Sequence, residues 1–419
     1  MVQHRNKVIV VGAGAAGLMA AGQSANSGSE TLLLEKMPHP GRKLRITGKG
    51  RCNITNIAEA NDFIGHFGVS GRFLRQSFAR FFVQDLIAFF GELGLDLITE
   101  RGGRVFPASG KAPDVVATLV GWVKESGVSI TYSSPARKLM IRDGAIKGIE
   151  TSEQKYFCSA VILATGGKSY PATGSTGDGY TLAASAGHTI VPVRPALVPL
   201  ETDAVLHQEA SGLNLRNIKV TLLINDKKRS MAFGEMGFTD NGVTGPVILS
   251  LSGLAVDGLR DNENLELSID LKPALDEKKL DARLLRDFAH KNREPLDVVL
   301  RGLLPRQLIP ACIRMTEIDA GKAPNSITAK ERKRLRDWLK DFRIQVTGHR
   351  PYSEALITAG GVDTREVDPR TMESRLVKGL YFAGELMDIQ ADTGGYNLQA
   401  AFSTGWLAGR SAAGKLQRI

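Results

Sequence analysis

The chain has 419 residues, enough for two or three domains and several buried cores. Its 42% hydrophobic and 23% charged residues exclude intrinsic disorder. Three cysteines (Cys52, Cys158, Cys312) are too few for a disulfide framework, match no zinc spacing and fit a reducing compartment. The net charge of +10 allows an anionic partner or simply a solvated basic surface.

Val8 to Ser29 carries no charge over 22 residues, long enough to span a bilayer. Five glycines interrupt it, and it turns polar from Gln23 on. A buried strand and a helix are expected instead, in a soluble cytoplasmic protein without a signal peptide or membrane contact. Lys7–Val11 is an apolar β-branched run leading into Gly12-Ala-Gly-Ala-Ala-Gly17, with helix formers to about Ser27 and a second buried strand at Thr31–Leu34. Gly41–Asn56 is Gly- and Arg-rich and reads as an ordered loop with at most a short helix. Arg72–Leu93 has apolar residues at helical spacing. Asp114–Ser126 follows as a helix with Asp114 as N-cap. Val128–Tyr132, Ala136–Arg142 and Ala145–Thr151 read as a strand meander, with Asp143-Gly144 as a hairpin turn. Ala160–Ala164 is a buried strand entering Thr165-Gly166-Gly167.

Near Pro192 short strands and turns take over to about Leu271. Leu275–Asp341 is charged and helical. From about Tyr352 strands and Gly-rich turns return, ending in the helix Asn397–Gly409. The layout predicts one discontinuous α/β domain, 1–190 with 353–419. It is interrupted by a β-rich, barrel-like domain (191–274) and a small helical domain (275–352).

Gly12, Gly14 and Gly17 form G-x-G-x-x-G between strand and helix. They serve a tight turn, close approach of a pyrophosphate, and helix–strand packing. The helix N-terminus at Ala15 and Ala16 adds free N–H groups. Glu35, 18 residues after Gly17, suits an adenosine ribose and repels a 2′-phosphate. Three features favour FAD over NAD: the strand meander; the strand entering Thr165 and Gly166; and the strand Gly379–Gly384, which delivers Gly384 and Glu385 and resembles the strand end that holds the ribityl chain in glutathione-reductase-like flavoproteins. Gly394, Gly395, Tyr396 and Asn397 open the last helix, whose N–H groups suit the charge of a reduced flavin. The fold class is thus a glutathione-reductase-like Rossmann FAD domain with two insertions. There is no second glycine fingerprint, so NAD(P)H would bind transiently in the open flavin cleft, at the junction of the FAD domain and the insert.

The run Gly41-Arg-Lys-Leu-Arg-Ile-Thr-Gly-Lys-Gly-Arg-Cys-Asn-Ile-Thr-Asn56 resembles the signature of the YhiN/BaiN-like flavoproteins. Ile357–Val362, Thr371–Ser374, Gly384-Glu385 and Gly394–Gln399 are similar to that family as well, and the likeness covers nearly the whole chain. It implies an FAD enzyme that reduces steroid-like enones, oxidises aminoacetone, or makes dihydrouridine in large-subunit ribosomal RNA. Two of these deliver hydride to a C=C bond conjugated to a carbonyl.

Lys36 to Ala58 holds Lys36, Arg42, Lys43, Arg45, Lys49 and Arg51 with no acid. Arg42 and Lys43 are expected at the FAD pyrophosphate, with Gly50, Arg51, Cys52 and Asn53 beside the cofactor. The surplus either serves FAD alone or meets substrate phosphates. A second basic run, Lys330–Arg343, is either a solvated helix face or a phosphate-contacting surface. Cys52 is read either as the general acid of the reduction, with Arg51 lowering its pKa, or as a small packing residue. No metal is expected, since the seven histidines show no ligand spacing. The leading expectation is reduction of a ribosomal RNA uridine. A small-molecule reductase or amine oxidase, or a non-catalytic flavin-bound RNA-binding protein, stays open.

Overall fold

The computed structural model describes residues 7–203 and 207–414. The chain divides into two compact units, Met1–Pro195 with Leu356–Ile419, and Ala196–Ala355.

The first unit is built on a five-stranded parallel sheet in the order Leu380–Phe382, Ala160–Leu163, Lys7–Val11, Glu30–Leu34, Ser129–Thr131. Its central strands are continuous apolar runs because helices cover both faces of such a sheet. Val8, Ile9 and Val10 are fully buried. The helix Ala15–Asn26 packs along the closing helix Tyr396–Ala412. This contact needs small residues: a Cβ on Gly405 would lie 2.3 Å from Ala16 O, and one on Gly409 2.4 Å from Ala20 O.

Three local expectations are corrected. Val128–Tyr132 is not a meander strand: Ser129–Thr131 is the parallel edge of the main sheet, and the meander is Ala136–Arg142, Ala145–Thr151 and Lys155–Phe157. Arg72–Leu93 is two helices, Gly71–Arg80 and Val83–Glu92. The break comes at Phe81 and Phe82, whose backbone is extended; Asp85 accepts the Phe82 N–H at 2.8 Å, and Ser403 Oγ donates to Phe81 O. Asp114 is not the N-cap of its helix, which runs Ala112–Glu125 behind Lys111. Asp114 sits in the first turn, where its charge faces the positive dipole end.

The second unit is a closed six-stranded barrel in the order Leu200–Thr202, Gly242–Thr244, Lys227–Thr239, Asn214–Ile224, Leu265–Asp270, Phe342–His349. The helices from Glu277 to Lys340 are inserted between its last two strands. The helical segment expected at 275–352 therefore includes a barrel strand. One hydrophobic cluster joins Leu267 and Phe342 of the barrel to Leu284 and Leu335 of the helices. The second basic run lies here and is largely neutralised. Arg332 pairs with Asp281, Arg336 with Glu277 and Asp337, Lys340 with Asp270, and Arg343 with Glu266 and Asp341. Among the described residues no helix is long and apolar enough to cross a membrane.

Candidate cofactor site

The first unit holds a cleft at the C-terminal ends of its parallel strands, where open α/β sheets bind ligands. The glycine turn forms its floor. Gly12 takes φ +100°, and its N–H donates to Leu34 O at 2.8 Å. A Cβ on Gly17 would sit 1.7 Å from Gly12 O, so helix and turn touch there. A Cβ on Gly14 meets no protein atom within 4 Å. The three glycines thus divide into turn, open approach and packing.

Glu35, nearly buried, closes the neighbouring corner. Its carboxylate accepts the Ala13 N–H at 2.7 Å and the Met37 N–H at 2.8 Å. Gly41 N–H donates to Ala13 O at 2.8 Å and pins the start of the basic loop against the glycine turn. The loop is helical from Arg42, then leaves helical geometry over Thr47–Lys49.

The basic loop is tied to three other segments. Lys36 Nζ lies 2.6 Å from Thr176 Oγ1 and 2.7 Å from Asp178 Oδ2. Burial pushes the Asp178 carboxyl up, but the bonds from Lys36 and Thr176 outweigh it and hold the group below the usual carboxylate range. Arg42 donates to Ala172 O at 3.2 Å. Lys43 pairs with Glu385 and donates to Ser169 Oγ at 2.6 Å. Glu385 also accepts the Thr358 N–H at 2.7 Å. Arg51 turns away: it pairs with Glu100 and its guanidinium stacks on Phe106, 4.3 Å from the ring centroid.

Thirteen expected residues line the cleft: Gly12, Gly14, Ala15, Ala16, Glu35, Lys36, Arg42, Lys43, Thr165, Gly166, Gly384, Glu385 and Asn397. Eight do not. Gly17 packs behind the turn. Gly50, Arg51, Cys52 and Asn53 lie beyond the kink. Gly394, Gly395 and Tyr396 build the entry to the closing helix, where a Cβ on Gly395 would meet Thr55 O at 2.3 Å. Cys52 is fully buried, and burial pushes its thiol up to about 12 against a weaker lowering by Thr47. The expected lowering by Arg51 does not occur, because that guanidinium is committed to Glu100.

Sequence reasoning missed Thr173–Asp178, Ser134 and His39, which also line the cleft. The signal for the first was present: a Gly- and Ser/Thr-rich turn ahead of the helix Asp178–Ser185. It also missed the cluster at the start of the closing helix. His66 stacks on Tyr396 at 3.9 Å, and its Nδ1 lies 3.1 Å from Asp392 Oδ2. Asn397 holds the backbone of Ala391 and Asp392 through its side-chain amide.

The donor set fits FAD. Gly14 leaves open space at a helix N-terminus, Glu35 offers a carboxylate beside it, and Thr165 Oγ1 on the wall is buried with no hydrogen-bond partner. Among the described residues no group of three or more His, Cys, Asp or Glu side chains could hold a metal ion.

A parallel Rossmann sheet with this glycine turn and a barrel inserted before the closing strand defines an FAD-binding flavoprotein fold. The family described as HI0933-like protein Rossmann domain matches residues 6–411, and the chain belongs to it, among FAD-dependent oxidoreductases. The 3-dehydro-bile acid delta(4,6)-reductase of Clostridium scindens is 32% identical over 412 residues, 97% of this chain and 99% of that protein. The ribosomal RNA dihydrouridine synthase of Escherichia coli is 30% identical over 404 residues, 96% of this chain and 97% of that protein. The fold is also that of the 3-ketosteroid-delta4-(5alpha)-dehydrogenase of Rhodococcus jostii, at TM-score 0.50 and 15% identity, over 99% of this chain and 98% of that one.

Proposed function

We propose that the chain reduces a C=C bond conjugated to a carbonyl, with NAD(P)H as electron donor, and that its substrate is a uridine of large-subunit ribosomal RNA. The names of the two curated relatives describe this bond chemistry. A delta(4) bond beside a 3-oxo group and the ring double bond of uracil are both conjugated to a carbonyl.

When bound, FAD supplies the hydride relay between nicotinamide and substrate carbon. The chain supplies position and charge. Gly12, Gly14 and the N–H groups of Ala15 and Ala16 would receive the pyrophosphate, with Arg42 beside them. Glu35 would accept the ribose hydroxyls. Gly384, Glu385 and Thr165 would hold the ribityl chain, and the start of the closing helix at Asn397 would face the flavin ring. The positive dipole end there favours the anionic reduced state.

The observation that carries the RNA reading is the charge left over on the basic loop. Lys36, Lys43 and Arg51 are paired with carboxylates and Arg42 lies on the cleft wall. Arg45 and Lys49 are exposed and make no ion pair among the described residues. These two remain available for substrate phosphates. Mass spectrometry of ribosomal RNA tests the reading. A deletion strain of the source organism should lack a dihydrouridine present in its parent. An unchanged profile refutes the RNA substrate and leaves a small enone.

A further inference from the structure

The barrel carries a second concentration of exposed apolar and basic groups. Strands Asn214–Ile224 and Lys227–Thr239 form its long hairpin. The register sets Lys219 opposite Phe233 and Thr221 opposite Met231. Opposed residues of an antiparallel pair share one face. The alternate residues Val220 and Leu222 are fully buried in the barrel core, so this face points outward. Phe233 is 66% exposed and Met231 54%. A register shift after Leu222 returns Lys228 to the same face, opposite Leu223, with its Nζ 3.3 Å from Met231 Sδ.

The hairpin's own charge is one-sided, and the acids set beside it on the same face are already paired: Asp270, opposite Lys219 on the strand Leu265–Asp270, with Lys340, and Glu266, opposite Leu223, with Arg343. Lys219, Lys227, Lys228 and Arg229 make no ion pair among the described residues. The two acids of the hairpin already have cationic partners: Glu235 lies 3.8 Å from Arg216, and Asp226 3.9 Å from Arg343.

An exposed aromatic ring among unpaired cations matches a nucleic acid strand whose bases are unstacked. The ring takes a base face, and the cations take phosphates. A duplex offers no base face, and an apolar protein partner leaves the cations without counter-charge. We propose that the outer face of this hairpin binds single-stranded RNA, with Phe233 stacking on a base and Lys219, Lys228 and Arg229 meeting the backbone. The inference rests on the RNA reading above and names the surface that reading requires.

The test uses the full-length, FAD-loaded protein and a fluorescein-labelled single-stranded RNA of about 12 nucleotides, titrated by anisotropy. Phe233→Ala should weaken binding about tenfold, and Phe233→Trp should restore it. Lys228→Ala and Arg229→Ala should each lower the slope of log affinity against log salt by about 0.7. Flavin absorbance and Tm should stay at parental values, since these side chains lie outside the core. Equal binding by the parent and Phe233→Ala overturns the surface but not the RNA reading. No binding by the parent overturns both. If Phe233→Ala instead dissociates a dimer in sedimentation velocity, the face is a self-contact and the proposal fails.

Discussion

Lys43 and Glu385 are separated by 342 residues and bound to each other on the wall of the cleft. Sequence reasoning places them at adjoining parts of FAD, the lysine at the pyrophosphate and the acid at the ribityl chain. In the fold they form one pair, each side chain less than a quarter exposed. Glu385 also accepts from Ser169 Oγ at 3.1 Å and from the Thr358 N–H, so one carboxylate joins the basic loop, the segment after Gly167 and the strand Ile357–Val362.

Removing that acceptor should loosen the cleft. Glu385→Ala leaves a backbone N–H and an ammonium without their partner, at a cost of about 2 kcal/mol and a Tm lower by a few degrees. Glu385→Gln keeps one acceptor oxygen and should lose less. Added FAD should recover part of the loss in both variants, because a ligand that binds only the folded state stabilises it. Thermal melts with and without FAD check this ordering.

The glycine fingerprint predicts two opposite failures. Gly17→Ala places a methyl 1.7 Å from Gly12 O, so it should destabilise the protein whether or not FAD is present. Gly14→Ala meets no protein atom and its backbone is extended, so folding should survive. The methyl would instead stand where the pyrophosphate approaches, and FAD affinity should fall. Soluble yield and Tm read the first effect, and flavin titration reads the second. A Gly14→Ala protein with parental FAD affinity would remove the pyrophosphate from this turn.

Much of the site was legible because its signals are local. Lys7–Val11, the three glycines and Glu35 lie within one βαβ unit, where strand, turn and helix are set by neighbours in sequence. What was not legible depends on partners far along the chain. Nothing near Phe342 says that the strand after four helices pairs with Leu200–Thr202 and closes a barrel. Nothing near Arg51 points to Glu100. Gly394 and Gly395 read as flavin contacts, yet Gly395 is required by the Thr55 carbonyl, which only the folded chain brings there. Phe81 and Phe82 keep helical spacing while the backbone between their helices is extended, so periodicity alone could not locate the break.

The cysteines should be inert in the native protein. Cys52, Cys158 and Cys312 are all buried, and burial pushes each thiol up to about 12. A disulfide reagent at neutral pH should label none of the three until denaturant is added. Cys52 is also off the cleft wall, so Cys52→Ala should retain both FAD and turnover. Loss of turnover with FAD retained would restore the thiol as a proton donor.

Acid should weaken the fold in two stages, through a buried pair on the first unit. The His188 side chain is fully buried, its Nδ1 3.1 Å from Glu366 Oε2 and its Nε2 2.8 Å from Ser374 Oγ. Burial holds its titration below the usual imidazole range, and the opposing pull of Glu366 is too weak to reverse this. The unfolded chain therefore takes up a proton near pH ~6.5 that the native state refuses. Stability is full above that range and declines as pH falls through it. Glu366 follows at lower pH. Burial raises its carboxyl, but the Thr189 N–H and hydroxyl and His188 outweigh burial and keep it below its usual range. Its contribution is present above pH ~4.3 and is lost below. Tm measured against pH should show both declines. His188→Gln should flatten the upper one and leave the lower one in place, and a His188→Gln protein that kept the upper decline would assign it to another group.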